Sequence, residues 1–404
     1  MKRLLVLGAG PAQLGLLAAA RERELFVIAA DRDPAAPGFR YADRRAIVSA
    51  EDEEAIERLA SAEAVDGIIA PGIDWPVGIA ARVAPRLGVP HPISPEAAVL
   101  ATSKRRQRER FADAGVPQPA FAVCRSVEET AEAVATIGLP CVVKAPDRQG
   151  QRGLALVRSA DGLPEAAAAA IEASRSGSCI VEQYAAGGEV TVNGFSLGGR
   201  FHPLTVTDRL VAEPPAFGVA LAHVWPSEHA PERIGEAVEA AAAAAAAVGI
   251  GEGPSYTQVL VAEDGVRVVE LAARLGGGHD AELCRAALGV DLNGLALSAA
   301  LGDEIDEIGL VAGERAGGAC VRFLVAPPGL LEAVSGVDDA QAVEGIRLVL
   351  VYRRPGFVFG PLRRGTDRAG AVLAVGESRG EALDRAARAA DVVRFEVAAA
   401  TALA

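Results

Sequence analysis

The segment that decides the fold of this chain is PCVVKAPDRQGQRGLALV, residues 140–157. An apolar strand delivers Lys144 at its end, and the loop that follows contains Gly150 and Gly153 before a second short strand begins. Backbone N–H groups of such a loop bind phosphates, and a lysine ammonium beside them neutralises their charge. We therefore expect a phosphate site here, with Lys144 at a strand end outside the core. Taken alone, the same residues also describe an exposed β-turn with a solvated lysine.

Lysine is rare in this chain, and its positions point to the same chemistry. Of 40 basic residues, three are lysines, at positions 2, 104 and 144. Where arginine serves nearly everywhere, lysine is expected where a compact, flexible ammonium is needed. Lys104 lies in SPEAAVLATSKRRQRERFADAG (94–115), which predicts one helix. Lys104 and Lys144 are thus the first two candidate functional residues, with chance placement as the alternative.

A second candidate region follows the predicted strand CIVEQY (179–184). The end of this strand, at Gln183 and Tyr184, can present backbone groups along an adenine edge. The carboxylate of Glu189 lies seven residues after Glu182 and can accept hydrogen bonds from ribose hydroxyls. Without further context, the two glutamates also fit solvent-facing positions around a turn.

A predicted hairpin carries the third candidate group. YTQVLVAED (256–264) and GVRVVELAA (265–273) read as strands joined at Asp264-Gly265. If Gln258 and Glu270 oppose each other on one face, their side chains can share a cation. Arg274 comes just before three glycines, 276–278, where backbone can approach a ligand closely. The alternative is a set of charges at a hairpin edge.

The first hundred residues alternate apolar strands with helical segments, which predicts a parallel, doubly wound sheet. Gly8, Gly10 and Gly15, followed by Asp31, resemble a dinucleotide-binding fingerprint, so binding of NAD at this turn stays open. The same glycines suit any tight strand-to-helix turn. The predicted strands are LLVLGAG (4–10), LFVIAAD (25–31), AIVSA (46–50), DGIIAPG (66–72) and LGVPHP (87–92).

Composition excludes several classes of function. The 404 residues are enough for two or three domains, and the hydrophobic fraction of 50% is that of a globular protein. A net charge of −13 argues against nucleic acid or an anionic membrane as the main partner. The five cysteines are scattered and never in a CxxC spacing, which argues against a disulfide framework or structural zinc and favours a cytoplasmic setting.

Taken in this order, the motifs resemble those of the ATP-grasp superfamily, in particular its carboxylate–amine ligases. The resemblance spans essentially the whole chain and implies an α/β (α+β overall) fold. It implies a Rossmann-like pre-ATP-grasp domain at 1–100, followed by a linker helix and lid at 101–185. The catalytic subdomain would then occupy 186–310, and a C-terminal subdomain 311–404.

The resemblance also assigns roles to the candidate residues. Lys104, Lys144 and the loop glycines Gly150 and Gly153 would contact the phosphates of ATP. Arg274 would act in catalysis together with Lys144, by stabilising the transferred phosphoryl group or the acyl phosphate. The remaining nucleotide ligands would be Glu182, Gln183 and Tyr184 at the adenine and Glu189 at the ribose, and the Mg²⁺ ligands would be Gln258 and Glu270.

Two positions depart from the family pattern. The first metal position, often glutamate, is Gln258, and the usual asparagine ligand is Ala272. Glu270 is then the one carboxylate at the family's metal positions. We therefore expect Mg²⁺ to be held mainly through ATP phosphates and water.

The implied function is that of an ATP-dependent ligase joining a small carboxylic or amino acid to an amine through an acyl phosphate. The segment at 365–390 resembles the closing subdomain of L-amino acid ligases. Three alternatives remain: a nucleotide-binding regulator with a degraded metal site, a carboxylating purine-pathway or carbamoyl-phosphate-type enzyme, and an NAD-dependent oxidoreductase. The expected partners are small-molecule acid and amine substrates, without nucleic acid or membrane, and a homodimer is left open.

Overall fold

The computed structural model describes residues 1–313 and 315–398, which form four β-sheets with helices packed against them. The N-terminal sheet is parallel, with strand order β3-β2-β1-β4. Four of the predicted strands are present, but the one at 87–92 is wrong: Pro90 and Pro92 lack the N–H donors that a strand needs. The elements are β1 Arg3–Leu7, α1 Leu14–Glu22, β2 Phe26–Asp31, β3 Arg44–Ile47, α2 Glu53–Ala62, β4 Gly67–Ile69 and α3 Asp74–Leu87.

The predicted helix at 94–115 is two helices, α4 (Pro95–Ala101) and α5 (Lys104–Ala114). Ser103 separates them because its side chain accepts a hydrogen bond from the N–H of Arg106 and caps the start of α5. Lys104 is therefore the first residue of a helix rather than a residue in the middle of one. Its backbone N–H donates to the carbonyl of Pro146 at 2.8 Å, which ties α5 to the loop after Lys144.

Residues 121–183 form a small antiparallel sheet with strand order β5-β8-β6-β7, covered by two helices. Its core contains Cys141, Val143, Val181 and the inner face of the second helix. Lys144 ends the central strand β6. The elements are β5 Phe121–Cys124, α6 Val127–Ile137, β6 Cys141–Lys144, β7 Leu154–Val157, α7 Leu163–Ala173 and β8 Cys179–Gln183.

The largest sheet has eight strands in the order β13-β12-β9-β10-β11-β14-β18-β16, so strands from both sides of residue 310 pair in it. An alanine-rich segment forms α8, which packs against β12 and β13. The elements up to the end of this sheet's first half are β9 Gly187–Leu197, β10 Arg200–Val211, β11 Ala220–Trp225, α8 Pro231–Val248, β12 Gly253–Ala262, β13 Gly265–Ala272, α9 Asp280–Leu288 and α10 Leu292–Leu301.

A three-stranded sheet, β17-β15-β19, completes the C-terminal part. The four-part domain division proposed from the sequence stays a prediction. The remaining elements are β14 Gly318–Leu324, β15 Gly329–Ser335, α11 Val337–Ala342, β16 Ile346–Val351, β17 Val358–Phe359, β18 Gly370–Gly376, α12 Arg379–Val392 and β19 Arg394–Ala398.

All five cysteines are buried and free. Over residues 1–313 and 315–398, no single helix is long and apolar enough to cross a membrane. By length and composition alone the sharply bent pair α9 and α10 passes the same test, and both helices are largely buried within the fold.

Candidate active site

Lys144 lies in the interior of the protein, at the end of β6. Its side chain is buried, and its ammonium lies 2.7 Å from Oε2 of Glu182 on the neighbouring strand β8. The other oxygen of Glu182 accepts a hydrogen bond from Nε of Arg108 at 2.6 Å. The expectation that Lys144 lies outside the core was therefore wrong, because a strand end in this sheet is covered by α5 and by the large sheet.

The three buried charges shift one another's pKa. Burial lowers the pKa of Lys144 to about 8, with Arg108 and Lys104 adding to the effect against the attraction of Glu182. Burial alone would raise the pKa of Glu182, but the charges of Arg108 and Lys144 outweigh it and lower it to about 2. Glu182 is thus an anion that holds and orients Lys144, and its contact with adenine stays a prediction.

This environment predicts that nucleotide affinity falls as the pH rises above about 8. Above this pH, Lys144 of the nucleotide-free protein loses its proton, whereas bound phosphates require the ammonium. Lys144 therefore takes up a proton when a nucleotide binds, and the Kd rises by about tenfold per pH unit. Calorimetry with ADP in buffers of different ionisation enthalpy measures this uptake. Lys144→Arg is expected to abolish it, since a guanidinium stays protonated. A proton uptake that is unchanged in the variant would contradict the assignment to Lys144.

Lys104 reaches the same site from the start of α5. Its ammonium lies 2.9 Å from Oε2 of Glu270 and donates to the carbonyl of Arg148 at 2.9 Å. Burial would lower the pKa of Lys104, but the carboxylates of Glu270 and Asp74 raise it, so this lysine stays protonated above pH 8. The two scarce lysines therefore share one site.

Gln258 and Glu270 face each other across the β12–β13 ladder, as the hairpin predicted. In the orientation of the Gln258 amide that satisfies both of its polar atoms, the nitrogen donates to Oε1 of Glu270 at 3.2 Å and the oxygen accepts from Arg209. Burial would raise the pKa of Glu270, but Lys104, with further cations around it, lowers it to about 2. Glu270 is thus a carboxylate that stays charged over the whole physiological pH range.

A cavity of about 510 Å³ lies between the small sheet and the large sheet. It has an apolar side, formed by residues such as Leu156 and Leu260, and a charged end near the two lysines. Gly153 is not in its lining; a side chain there would meet Ala173 of α7 at 2.8 Å, so its part in phosphate binding stays a prediction. The predicted residues that line the cavity are Lys104, Lys144, Gly150, Glu182, Gln183, Tyr184, Glu189, Gln258 and Glu270.

A second cavity, of about 400 Å³, adjoins the first. The two share the loop 149–152, Arg209, Gln258 and Glu270, so they meet at the charged end of the first cavity. The N-terminal glycine turn, at Gly8 and Gly10, lines this second cavity. The turn that resembled a dinucleotide fingerprint therefore faces the space beside the phosphate site.

Arg274 lines the second cavity and is held by Asp74. Its Nε and Nη2 lie 2.6 and 2.5 Å from one oxygen of Asp74, and Nη1 donates to the carbonyl of Leu275 at 2.8 Å. The guanidinium also lies over the ring of Tyr256, 5.6 Å from its centre. These contacts fix a planar cation beside the junction of the two cavities.

Several charged groups of the site escaped the sequence analysis. Arg108 is buried and Arg209 forms an ion pair with Glu189, but arginine is too common in this chain for either to stand out. His223 lines the second cavity, with Nδ1 3.0 Å from Oδ1 of Asp280. The chain has five histidines, so their scarcity was a signal that could have singled out His223.

The donor set suits the protein's share of a Mg²⁺ site. Mg²⁺ in nucleotide sites is bound by one or two carboxylates together with substrate phosphates. Glu270 supplies one carboxylate, and Gln258, directly opposite, would supply an amide oxygen once its amide turns from Arg209 toward the metal. Within the part of the chain that the structure describes, no cluster of three or more His, Cys, Asp or Glu side chains could hold a metal by itself.

Comparison with known proteins agrees with this geometry. The family model for the ATP-grasp domain matches residues 109–279, and the model for the L-amino acid ligase C-terminal domain 2 matches residues 322–398. The crystal structure of L-amino acid ligase from Bacillus licheniformis superposes with a TM-score of 0.83 at 19% identity, covering 99% of both chains. At that identity the likeness establishes the fold alone.

The matches to curated relatives cover only part of the length of those relatives. The uncharacterized protein y4rH of Sinorhizobium fredii is 29% identical over 323 residues, which are 78% of this chain and 65% of that protein. A formate-dependent phosphoribosylglycinamide formyltransferase of Burkholderia pseudomallei is 33% identical over 159 residues, 39% of each chain. The chain thus spans less than two thirds of the length of either relative.

The fold, the paired lysines and the two matched models together are those of the ATP-grasp class of proteins. Residues 109–279 of the chain form an ATP-grasp domain, and residues 322–398 match the C-terminal domain 2 of L-amino acid ligases.

Proposed function

We propose that this protein is an ATP-dependent carboxylate–amine ligase. The observation that carries the proposal is the meeting of two cavities at Gln258 and Glu270, with Lys104 and Lys144 on one side and Arg274 on the other. A nucleotide in the first cavity would place its phosphates at this junction, beside an acid bound in the second. The acid's oxygen and the γ-phosphate would then be neighbours.

The proposed reaction has two steps. A carboxylate oxygen attacks the γ-phosphorus, the bond from phosphorus to the bridging oxygen breaks, and an acyl phosphate and ADP form. An amine then attacks the acyl carbon, phosphate leaves with the electron pair of the carbon–oxygen bond, and the amine loses a proton. Phosphorylation is needed because a carboxylate has no good leaving group.

The chain's own residues supply positioning and charge in this reaction. Lys104 and Lys144 neutralise the phosphates, and Arg274 holds two oxygens of the transferred phosphoryl group. His223, oriented by Asp280, lies in the cavity where the amine must lose its proton. The small sheet of residues 121–183, which lies in the predicted lid, would exclude water, which otherwise hydrolyses the acyl phosphate.

Mg²⁺ would lie at Glu270 and Gln258, where it would neutralise charge on the phosphates of ATP. We expect Glu270→Gln to weaken the dependence of the rate on Mg²⁺ more than Gln258→Glu alters it, because hard cations prefer charged oxygen. Magnesium titrations at saturating ATP compare the two variants. Tighter binding of Mg²⁺ and higher activity in Gln258→Glu would show that the wild-type site has too few metal ligands, which would favour a regulatory role.

The matched C-terminal domain supports amino acids as substrates, and we propose a small carboxylic or amino acid as the donor and an amine, such as a second amino acid, as the acceptor. The 33% identity to the formyltransferase keeps the purine-pathway reaction as the second candidate. A cytoplasmic location remains part of the proposal, and the oligomeric state is left open.

Release of ADP across pairs of acids and amines tests the function. A ligase releases ADP and phosphate only when both acid and amine are present, and the product contains the new amide by mass spectrometry. Release with formate and glycinamide ribonucleotide would instead favour the formyltransferase reaction. Binding of ATP without turnover over the whole panel would favour a regulator and overturn the proposal.

A further inference from the structure

Two arginines from the C-terminal part of the chain line the second cavity without an acidic partner. Arg353 follows β16 and Arg368 precedes β18, and both belong to the cavity wall. Over residues 1–313 and 315–398, neither lies within ion-pair distance of a carboxylate. In contrast, Arg274 and Arg209 in the same cavity are paired with Asp74 and Glu189.

One turn holds both guanidinium groups. Nη2 of Arg353 donates to the carbonyl of Thr366 at 3.2 Å, and Nε of Arg368 donates to the carbonyl of Gly365 at 2.7 Å. These carbonyls belong to consecutive residues, so one turn orients both cations. Each also lies over an aromatic ring, 4.5 Å from the centre of Phe357 for Arg353 and 3.6 Å from that of Phe323 for Arg368.

The two cations keep unused hydrogen-bonding capacity. A guanidinium has five N–H donors, and the partners found here are three carbonyl groups, since Nη1 of Arg368 faces that of Ala220 at 3.4 Å. Nε of Arg353 is buried and has no hydrogen-bond partner among the described residues. Burial lowers the pKa of both arginines, and the more distant carboxylates of Asp33 and Asp367 for Arg353 and of Asp280 for Arg368 do not cancel this effect. A bound anion is what would relieve this cost.

The charge balance of the second cavity also favours a bound anion. Its lining contains six arginines and three carboxylates, Asp31, Glu51 and Glu270. Glu270 is paired with Lys104, so it does not compensate the arginine pair. Asp31 accepts the N–H of Ala9 at 2.8 Å. The lining therefore carries surplus positive charge, and Arg353 and Arg368 are part of it.

We propose that Arg353 and Arg368 bind a carboxylate of the substrates that is not phosphorylated in the reaction. The inference rests on the proposed ligase function and deepens it: the substrate pair carries at least two carboxylates, one activated and one retained. The retained group has two sources, a second carboxylate of the donor acid or the carboxylate of an amino acid that serves as the amine. Planar guanidinium groups pair with either through two parallel hydrogen bonds.

The test compares each carboxylate with its neutral amide. For the best substrate pair from the ADP-release panel, KM is measured with the retained carboxylate present on the acid, present on the amine, or replaced by a primary amide. We expect the amide form of one substrate to raise KM in the wild-type protein by about 10- to 100-fold, and this arm identifies the source. In Arg353→Gln and Arg368→Gln, the preference for the carboxylate is expected to collapse toward unity.

Arg354→Gln and Arg363→Gln are matched controls, because both side chains are exposed and absent from either cavity. They should retain the wild-type preference, and the KM for ATP should change little in all four variants. A residue that merely braced the 365–367 turn would lower kcat for both substrate forms alike.

Equal KM for carboxylate and amide forms of both substrates in the wild-type protein would overturn the inference, whether or not the variants fold. An unchanged preference in both glutamine variants would do the same. These outcomes differ from failure of the ligase function itself, in which no acid–amine pair releases ADP.

Discussion

Replacing Lys144 by methionine is expected to lower kcat/KM for ATP by about 100- to 1000-fold, about 3–4 kcal/mol of transition-state stabilisation. Lys144 ends β6 at the charged end of the nucleotide cavity, and the buried Glu182 holds it in place at 2.7 Å. A preorganised cation of this kind stabilises the charge that moves between the β- and γ-phosphates. Steady-state ADP release with the best substrate pair measures the loss.

Loss of Lys144 also removes one of two partners from the buried Glu182, so we expect the variant to unfold at a lower temperature. Thermal unfolding separates the two effects, with activity measured well below the transition. Lys2→Met is the control, since Lys2 is exposed and pairs with Asp303 far from both cavities. Full activity of a folded Lys144→Met protein would remove the 140–157 segment from the phosphate site.

Arg274→Lys is expected to be nearly as damaging as Arg274→Ala, with a fall in kcat of about 100-fold or more. The guanidinium makes two contacts with Asp74 and one with the carbonyl of Leu275, and its plane can hold two phosphoryl oxygens. A lysine offers one point charge on a more flexible chain, so it cannot keep both sets of contacts. ATP binding should survive, while formation of the acyl phosphate should be lost.

Trapping with hydroxylamine in place of the amine reports that step, because the acyl phosphate is converted into a hydroxamate. Arg267→Lys is the matched control: Arg267 lies on the same hairpin and pairs with Asp264 through two hydrogen bonds, but it lines neither cavity. It should give the wild-type yield. A wild-type hydroxamate yield from Arg274→Lys would take Arg274 off the list of catalytic residues.

Local pattern was enough to predict most of the elements. The alternation of apolar residues predicted the hairpin that places Gln258 opposite Glu270. The failures were local too: the prolines at 90 and 92 exclude a strand, and Ser103 divides a helix that the apolar pattern ran together. Each depends on one residue's backbone chemistry rather than on periodicity.

By itself, the sequence predicted the class of protein and singled out Lys104 and Lys144 as functional residues. The order of the motifs and the scarcity of lysine can both be seen in the sequence without a structure. The tertiary structure alone decided which charges are paired: Glu182 with Lys144 and Arg108, but Arg353 and Arg368 with no carboxylate within ion-pair distance among the described residues. In a chain where arginine is abundant, residue type says nothing about pairing. Pairing depends on distance and burial, and residues as far apart in sequence as Arg108 and Glu182 come within 2.6 Å only when the sheets pack.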